Sequence, residues 1–512
     1  MAETSVRGAV RRESSGDDRP NRAERNRTYP PPMSPRDLIS DLPDAVIHHI
    51  FSFLPLEDVV KTGVLSKRWQ STWTTTTQLV FNDLRPRHRD PYYPDYPSLV
   101  DSVLSRCTSP AVKRFHITIF KCDEAYPKLD LWLRFAEGRG VEDLRLVLIP
   151  NLEFFYKLPR FLYRLSRLVR LKVSGCCLSL GTAVRWPCLK FLLLDCAELS
   201  DDILEGIVRG SPVLESLALR YCRGVKNIII HSTSVKRLIL VEDGLSNSEK
   251  IWAPHLLSLR VSGICSLHSV FRLDDVSSLV EAELHFAVSG DRIGHRDLLK
   301  ELLEKLRRVS TITIGYWCLQ ILSALEMEGV PCPLSKCQNL ILRAPVSQWE
   351  LPGIAYMLRS SQRVEKLVIH LTHSCPSTGT HVQLKLDEES IERFNEDLLS
   401  QKGNFQCLAE HLKRVEIIGF ASSFGSKHLL ALIKFLLGDA LTLEKMIIKA
   451  DFPAQRGQKH LEAADLSKLL GVSRNVLSHR RASQNAEVIF DYPLEELSLK
   501  KHMRKIQVSE LG

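Results

Sequence analysis

No stretch of this sequence reaches the roughly 18 to 20 consecutive apolar residues that cross a bilayer, because a charge breaks every hydrophobic run within about ten positions. A membrane span and a membrane partner are therefore not expected. The start also lacks the apolar core of a secretory signal: Met1 to Arg36 hold eight arginines and five acidic residues around a Tyr29-Pro30-Pro31-Pro32 turn. The acids, Glu3, Glu13, Asp17, Asp18 and Glu24, set it apart from acid-poor transit peptides. With so little apolar surface to offset the entropy of ordering, residues 1–36 read as a disordered tail.

Catalytic signatures are missing as well. There is no Gly-rich phosphate loop and no G-x-S-x-G elbow, and His48-His49 lacks the second half of an H-E-x-x-H zinc motif. The thirteen cysteines contain no C-x-x-C pair. Cys176, Cys177, Cys196 and Cys222 instead recur at about repeat distance, near the position after a strand where Asn or Cys bonds backbone carbonyls. Neither a catalytic site, a metal centre nor a cofactor is expected. Unpaired thiols in a long chain without a signal point to the nucleus or cytoplasm.

What is present is ordinary globular material: 512 residues, 44% hydrophobic and 25% charged, with a net charge of +9. Much of that excess sits at the ends. The tail carries net +3, and Lys500, Lys501, Arg504 and Lys505 add four positive charges within the basic segment 493–512. With no aromatic interleaving to stack bases, a nucleic-acid partner is not expected.

Residues 37–82 are written as three short helices. Pro43 fits a first helical position, and Ile47, Ile50, Phe51 and Leu54 follow at i, i+3, i+4, i+7 spacing until Pro55 stops the run. Val59, Val60 and Val64 mark a second helix; Ser66 caps a third carrying Trp69 and Trp73 one turn apart. So short a unit cannot bury that much apolar surface by itself, so part of it is expected to meet a partner.

After a linker at 83–110, the grammar changes to one hydrophobic residue, two variable ones, then two hydrophobics flanking a third. The clearest copies are Leu168, Leu171, Val173; Leu189, Leu192, Leu194; Leu214, Leu217, Leu219; Val235, Leu238, Leu240; and Leu256, Leu259, Val261. Their middle residues lie 21, 25, 21 and 21 apart, within the period of a leucine-rich repeat. The array is expected over 111–371, with irregular connections where the interval lengthens. A polar insertion with a helix from Asp387 to Leu399 follows at 372–403, then strand, helix and strand again within a final module at 404–492 whose end is expected to cap the solenoid.

Asp41-Leu42-Pro43-Asp44, the Ile47 to Leu54 helix and Val64-Leu65-Ser66-Lys67-Arg68-Trp69 followed by Trp73 resemble the F-box as it occurs in plant proteins. Thr72 departs from it, since an apolar residue commonly precedes the second Trp. The segment from Asn404, with Cys407-Leu408, His411-Leu412-Lys413, Gly419-Phe420 and Leu443-Glu444-Lys445-Met446, resembles the FBD module. Most of the chain beyond the tail is thus similar to F-box/FBD/leucine-rich-repeat proteins. The expected fold is mixed α/β: a three-helix F-box, an irregular leucine-rich-repeat solenoid with a curved parallel sheet, and a C-terminal FBD module.

The resemblance implies a non-catalytic substrate receptor of a ubiquitin ligase, its F-box docked on a Skp-type adaptor and through it on a cullin, its repeats on an unidentified protein substrate. Carried over by position, the docking face comprises Leu42, Pro43, Ile47, Ile50, Leu54, Val59, Val60, Val64, Leu65 and Trp69. On the repeats, the outward positions flank the second apolar residue of each strand. The substrate face is therefore expected at Lys172, Ser174, Asp195, Arg220 and Arg260, interspersed with Ala218, Ile239, Val241 and Ser262. Two other roles fit the same pattern: a scaffold that recruits no ligase, and a small-ligand sensor using Arg220, Arg237 and Arg260.

Overall fold

A computed structural model describes residues 38–82, 96–119, 126–149, 155–179, 183–243, 250–266, 272–289, 293–331, 333, 335–372, 388–400, 405–419, 426–449 and 471–491. The Arg-rich tail, the basic run at Lys500 to Lys505, most of 372–387 and the stretch 450–470 lie outside them.

Among the described residues one parallel sheet of fifteen strands runs in chain order from Gln78–Asn82 to Glu487–Asp491. Its register follows the repeat. Leu171, Leu192, Leu217, Leu238 and Leu259 are direct cross-strand partners in succession. The weaker copies continue that row through Ala282, Ile312, Leu340 and Leu367 to Val415 and Met446. These side chains are buried on one face, and period-two alternation turns their neighbours to the other.

The sheet begins earlier than the repeat pattern. Gln78–Asn82, inside the segment read as the F-box, pairs with Arg114–Ile119. Within 83–110, Tyr96–Arg106 is helical and contributes Val100 and Leu104 to the core. The final module likewise continues the sheet, through Arg414–Ile418 and Lys445–Lys449 to a last strand at Glu487–Asp491.

Connection length decides what covers the buried face. The intervals of 21, 21 and 23 residues between Leu217, Leu238, Leu259 and Ala282 leave room for short extended connections, and Asn227–Ile229, Lys250–Trp252 and Arg272–Leu273 form a second, three-stranded sheet. Longer intervals hold helices, including Ile293–Lys305, Tyr316–Met327 and Leu351–Ser360. The last two touch so closely that a β-carbon on Gly353 would sit 2.1 Å from the Leu319 carbonyl oxygen. Ser323 Oγ fills the same contact, its single proton shared between the carbonyls of Trp349 (2.6 Å) and Leu319 (3.0 Å) while its oxygen accepts from Gly353 N–H (2.8 Å). The insertion helix forms at Glu388–Ser400 and is part of this layer: Ile391 is buried, and Asn395 Nδ2 donates to the Gln348 carbonyl at 3.0 Å.

Three successive strands, Arg170–Ser174, Phe191–Asp195 and Ser216–Arg220, end in a left-handed step, at Gly175 (φ 74°), Cys196 (φ 46°) and Tyr221 (φ 52°). Gly175 has no room for a side chain, since a β-carbon there would meet the Leu148 carbonyl oxygen at 2.5 Å. One residue later, Cys176 and Cys222 donate to the carbonyls of Ser174 and Arg220, each at 3.5 Å. Ala197 is their counterpart between, so Cys196 falls one position short of the carbonyl-bonding role expected of it. Burial pushes the Cys222 thiol up to about 12 and Cys176 up further. These thiols are structural.

Candidate docking surfaces

The N-terminal unit comprises helices Asp44–Phe51, Leu56–Lys61 and Lys67–Thr72, joined and followed by 3₁₀ turns at Thr62–Val64 and Trp73–Thr75. Both prolines sit one place outside their helices: Pro43 is the N-cap of the first, and Pro55 is the N-cap of the second rather than the end of the first. Ser66 Oγ accepts from Trp69 N–H at 3.3 Å, the expected cap. Thr72 is buried, and its hydroxyl donates to the Arg68 carbonyl at 2.8 Å. That bond removes the cost of a polar group where an apolar residue is usual.

Ile47, Phe51, Val59, Trp69 and Trp73 form this unit's core, with Phe51 and Trp69 edge to face at 5.6 Å between ring centroids. Trp69 Nε1 also donates to the Ile39 carbonyl at 3.1 Å, and Arg68 ties the same approach down through the Ser40 carbonyl and Asp44 Oδ1, both at 2.6 Å. Three residues of the expected docking face belong to this buried core. Ile47, Val59 and Trp69 point inward, Ile47 with no exposed surface and Trp69 with 3%. Leu42, Ile50 and Val60 are half-buried against that core.

Pro43, Leu54, Val64 and Leu65 face solvent, with Val64 88% and Leu65 52% exposed. Four further apolar side chains join the exposed set: Leu38, Ile39, Val46 and Phe53, the last 74% exposed with its ring against the edge of His49 at 5.0 Å. Only one signal in the sequence marked Phe53: an aromatic in the turn before Leu54-Pro55 that belongs to no helical stripe.

The open face of the sheet carries two charged regions. In the later strands Glu283 is shared by Arg260 Nη2 (3.4 Å) and Arg343 Nε (3.5 Å), and Glu416 by Lys366 (2.9 Å) and Arg414 (2.7 Å). His285 and His370 stand among them. Burial is the largest cause holding both below the ordinary histidine range; Arg343 adds to it, while Glu283 opposes it. Earlier strands carry Lys172, Asp195 and Arg220 facing out. Ser174 lies on the same face but is covered there: it is 5% exposed, a short side chain whose hydroxyl donates to Asp195 Oδ2 at 3.5 Å. Ala218 and Ser262 are also buried. Arg220, Arg237 and Arg260 occupy three different rows of the register. Among the described residues no cluster of His, Cys, Asp and Glu could hold a metal ion, and no helix is long and apolar enough to cross a membrane.

Comparison with known proteins matches residues 39–77 to the F-box domain and residues 401–448 to the FBD. Residues 129–275 match the LRR repeats described for the FBD-associated F-box protein At5g56370. The F-box/LRR-repeat protein At3g03360 of Arabidopsis thaliana is 32% identical over 379 residues, 69% of this chain and 75% of that one. The F-box/LRR-repeat protein At5g02910 of the same plant is 30% identical over 457 residues, 86% of this chain and 93% of that one. At3g18150, also from Arabidopsis thaliana, is 31% identical over 429 residues, covering 80% and 86% respectively.

Proposed function

Because the chain belongs to the plant F-box/LRR-repeat family and carries an FBD module, we propose that it is the substrate-recognition subunit of a Skp–cullin–F-box ubiquitin ligase. The single observation that supports this most is the run of solvent-facing apolar side chains, Phe53, Leu54, Val64 and Leu65, at the junctions between the F-box helices. Exposed apolar surface on so small a unit is a docking surface by default. The Skp-type adaptor covers it and links the chain to a cullin, while the open face of the sheet holds a protein substrate. No bond is made or broken by this chain. Its contribution is proximity: a bound substrate meets the ubiquitin-charged enzyme at high effective concentration.

Co-purification of the full chain with a Skp-type adaptor tests the reading. The wild-type protein is expected to bind, and Val64→Asp/Leu65→Asp to lose binding with its melting temperature unchanged. A folded wild-type chain that ignores the adaptor would overturn it in favour of a scaffold role.

A further inference from the structure

On the open face Arg114 at the start of the sheet pairs with Asp143 at 3.5 Å and cations of the later strands are compensated as well, but a group of cations between them is not. In the later strands Arg343, Lys366 and Arg414 each stand on Glu283 or Glu416. In the earlier strands Arg145, Lys172, Arg220 and Arg237 close no ion pair with a carboxylate among the described residues, and Arg220 Nε is buried with no hydrogen-bond partner among them. Partial burial, then the Arg145 and Arg220 guanidiniums, hold the Lys172 ammonium below the ordinary lysine range, with Asp195 pulling the other way. Like charges held together at a partly dry surface are an uncompensated cost, which an anionic partner removes.

The register states the shape of that partner. Arg145 and Lys172 are direct cross-strand neighbours, and the row beyond Lys172 continues through Leu193, Ala218 and Ile239, an apolar strip beside Arg220. From Arg145 to Arg220 the patch crosses four strands, about 14 Å at a spacing of ~4.8 Å, which an extended chain covers in about four to five residues. We propose that this patch binds an extended acidic segment of the protein substrate, with carboxylates on Arg145, Lys172 and Arg220 and an apolar side chain on the strip between them. The inference rests on the receptor reading above. A nucleic acid would supply the charge but also bases to be stacked, and two rings beside the patch already face guanidiniums: Phe191 that of Arg170 at 5.0 Å and Tyr221 that of Arg220 at 5.9 Å.

Fluorescence anisotropy on the full chain, with and without a Skp-type adaptor, tests this, using a labelled oligoglutamate peptide with a central leucine. Binding that weakens as salt rises is expected, and Lys172→Glu/Arg220→Glu should weaken it about tenfold or more. Arg209→Glu/Arg308→Glu makes the same change of charge at exposed positions away from the open face and should leave binding intact. Equal losses in the two double variants, no loss in either, or tighter binding of a single-stranded oligonucleotide or inorganic pyrophosphate than of the peptide would overturn the inference. Thermal melts confirm that each variant folds. Adaptor binding by the same preparations separates the two readings: an unsound receptor role appears as lost adaptor with peptide retained, an unsound substrate surface as the reverse.

Discussion

Val64 and Trp69 lie five residues apart in one motif and do opposite work: the first is 88% exposed on a 3₁₀ turn, the second 3% exposed against Phe51. Truncating a buried tryptophan leaves a cavity and costs roughly 3–5 kcal/mol. Trp69→Ala is therefore expected to lower the melting temperature before any effect on adaptor binding can be read. Val64→Asp should leave the melt unchanged and weaken adaptor binding by about 2 kcal/mol or more, roughly thirtyfold. Calorimetric titration of both variants checks the split, and an unchanged affinity for Val64→Asp would sink it. This division was not legible in the residues alone. Periodicity marks which side chains share a helix face, but in a unit of forty-odd residues it does not say whether that face turns inward or toward a partner. The thiols give a second residue-scale expectation. Cys176, Cys222, Cys318, Cys337 and Cys407 are buried and donate to backbone carbonyls, while Cys188 is exposed. Alkylation of the native chain near neutral pH should modify Cys188 and spare the other five until denaturant is added, as peptide mapping would show. Modification of Cys222 at the rate of Cys188 would contradict its burial.

At the level of elements, the repeat strands were legible almost to the residue, whereas of the helices behind them only the insertion helix, Glu388–Ser400, and the one in the final module, Lys427–Asp439, were. A strand with one buried face repeats Leu171, Val173 and their counterparts at fixed spacing, and one buried row fixes the register of the next strand. Tyr316–Met327 has no such stripe: it is buried against the sheet on one side and against Leu351–Ser360 on another, so apolar residues surround it. The contact between those helices predicts that Gly353→Ala destabilises the fold by about 1–3 kcal/mol through overpacking, measurable as a lower urea midpoint at unchanged slope. The open face makes a pH prediction. His285 and His370 are held below the ordinary histidine range chiefly by burial, so below about pH 6.5 the unfolded chain binds protons that the folded chain refuses. Their contribution to stability is complete above that pH and declines as pH falls toward the depressed folded values. Between about pH 7 and about pH 5, the melting temperature of the wild-type chain should fall further than that of His285→Gln/His370→Gln. Parallel curves would show that neither imidazole is buried as described.

For the whole molecule, the boundary between docking unit and solenoid is where sequence and structure part. The F-box motif ends near Trp73 because the resemblance ends there, but the packing does not. Val103, on the helix Tyr96–Arg106, leans on the F-box core, while Leu56 of the second F-box helix belongs to the solenoid core. The backbone is tied as well: Thr108 N–H donates to the Thr74 carbonyl at 2.9 Å, and the Thr77 carbonyl accepts from Lys113 N–H at 2.8 Å. These contacts join residues some thirty positions apart, which no local pattern displays. A fragment of residues 38–77 would lose them and keep a core of only five buried apolar side chains, Ile47, Phe51, Val59, Trp69 and Trp73. That is too little to offset the ordering entropy of its chain. The fragment alone should therefore show weak helicity and a broad, shallow thermal transition by circular dichroism. Adding residues 78–149, which restore the first three strands of the sheet and the helix bearing Val103, should recover a cooperative one. A sharp transition in the short fragment would mean that the F-box is an independent folding unit. Its orientation would then be set by the linker, and a substrate on the open face would not be held at a fixed distance from the adaptor.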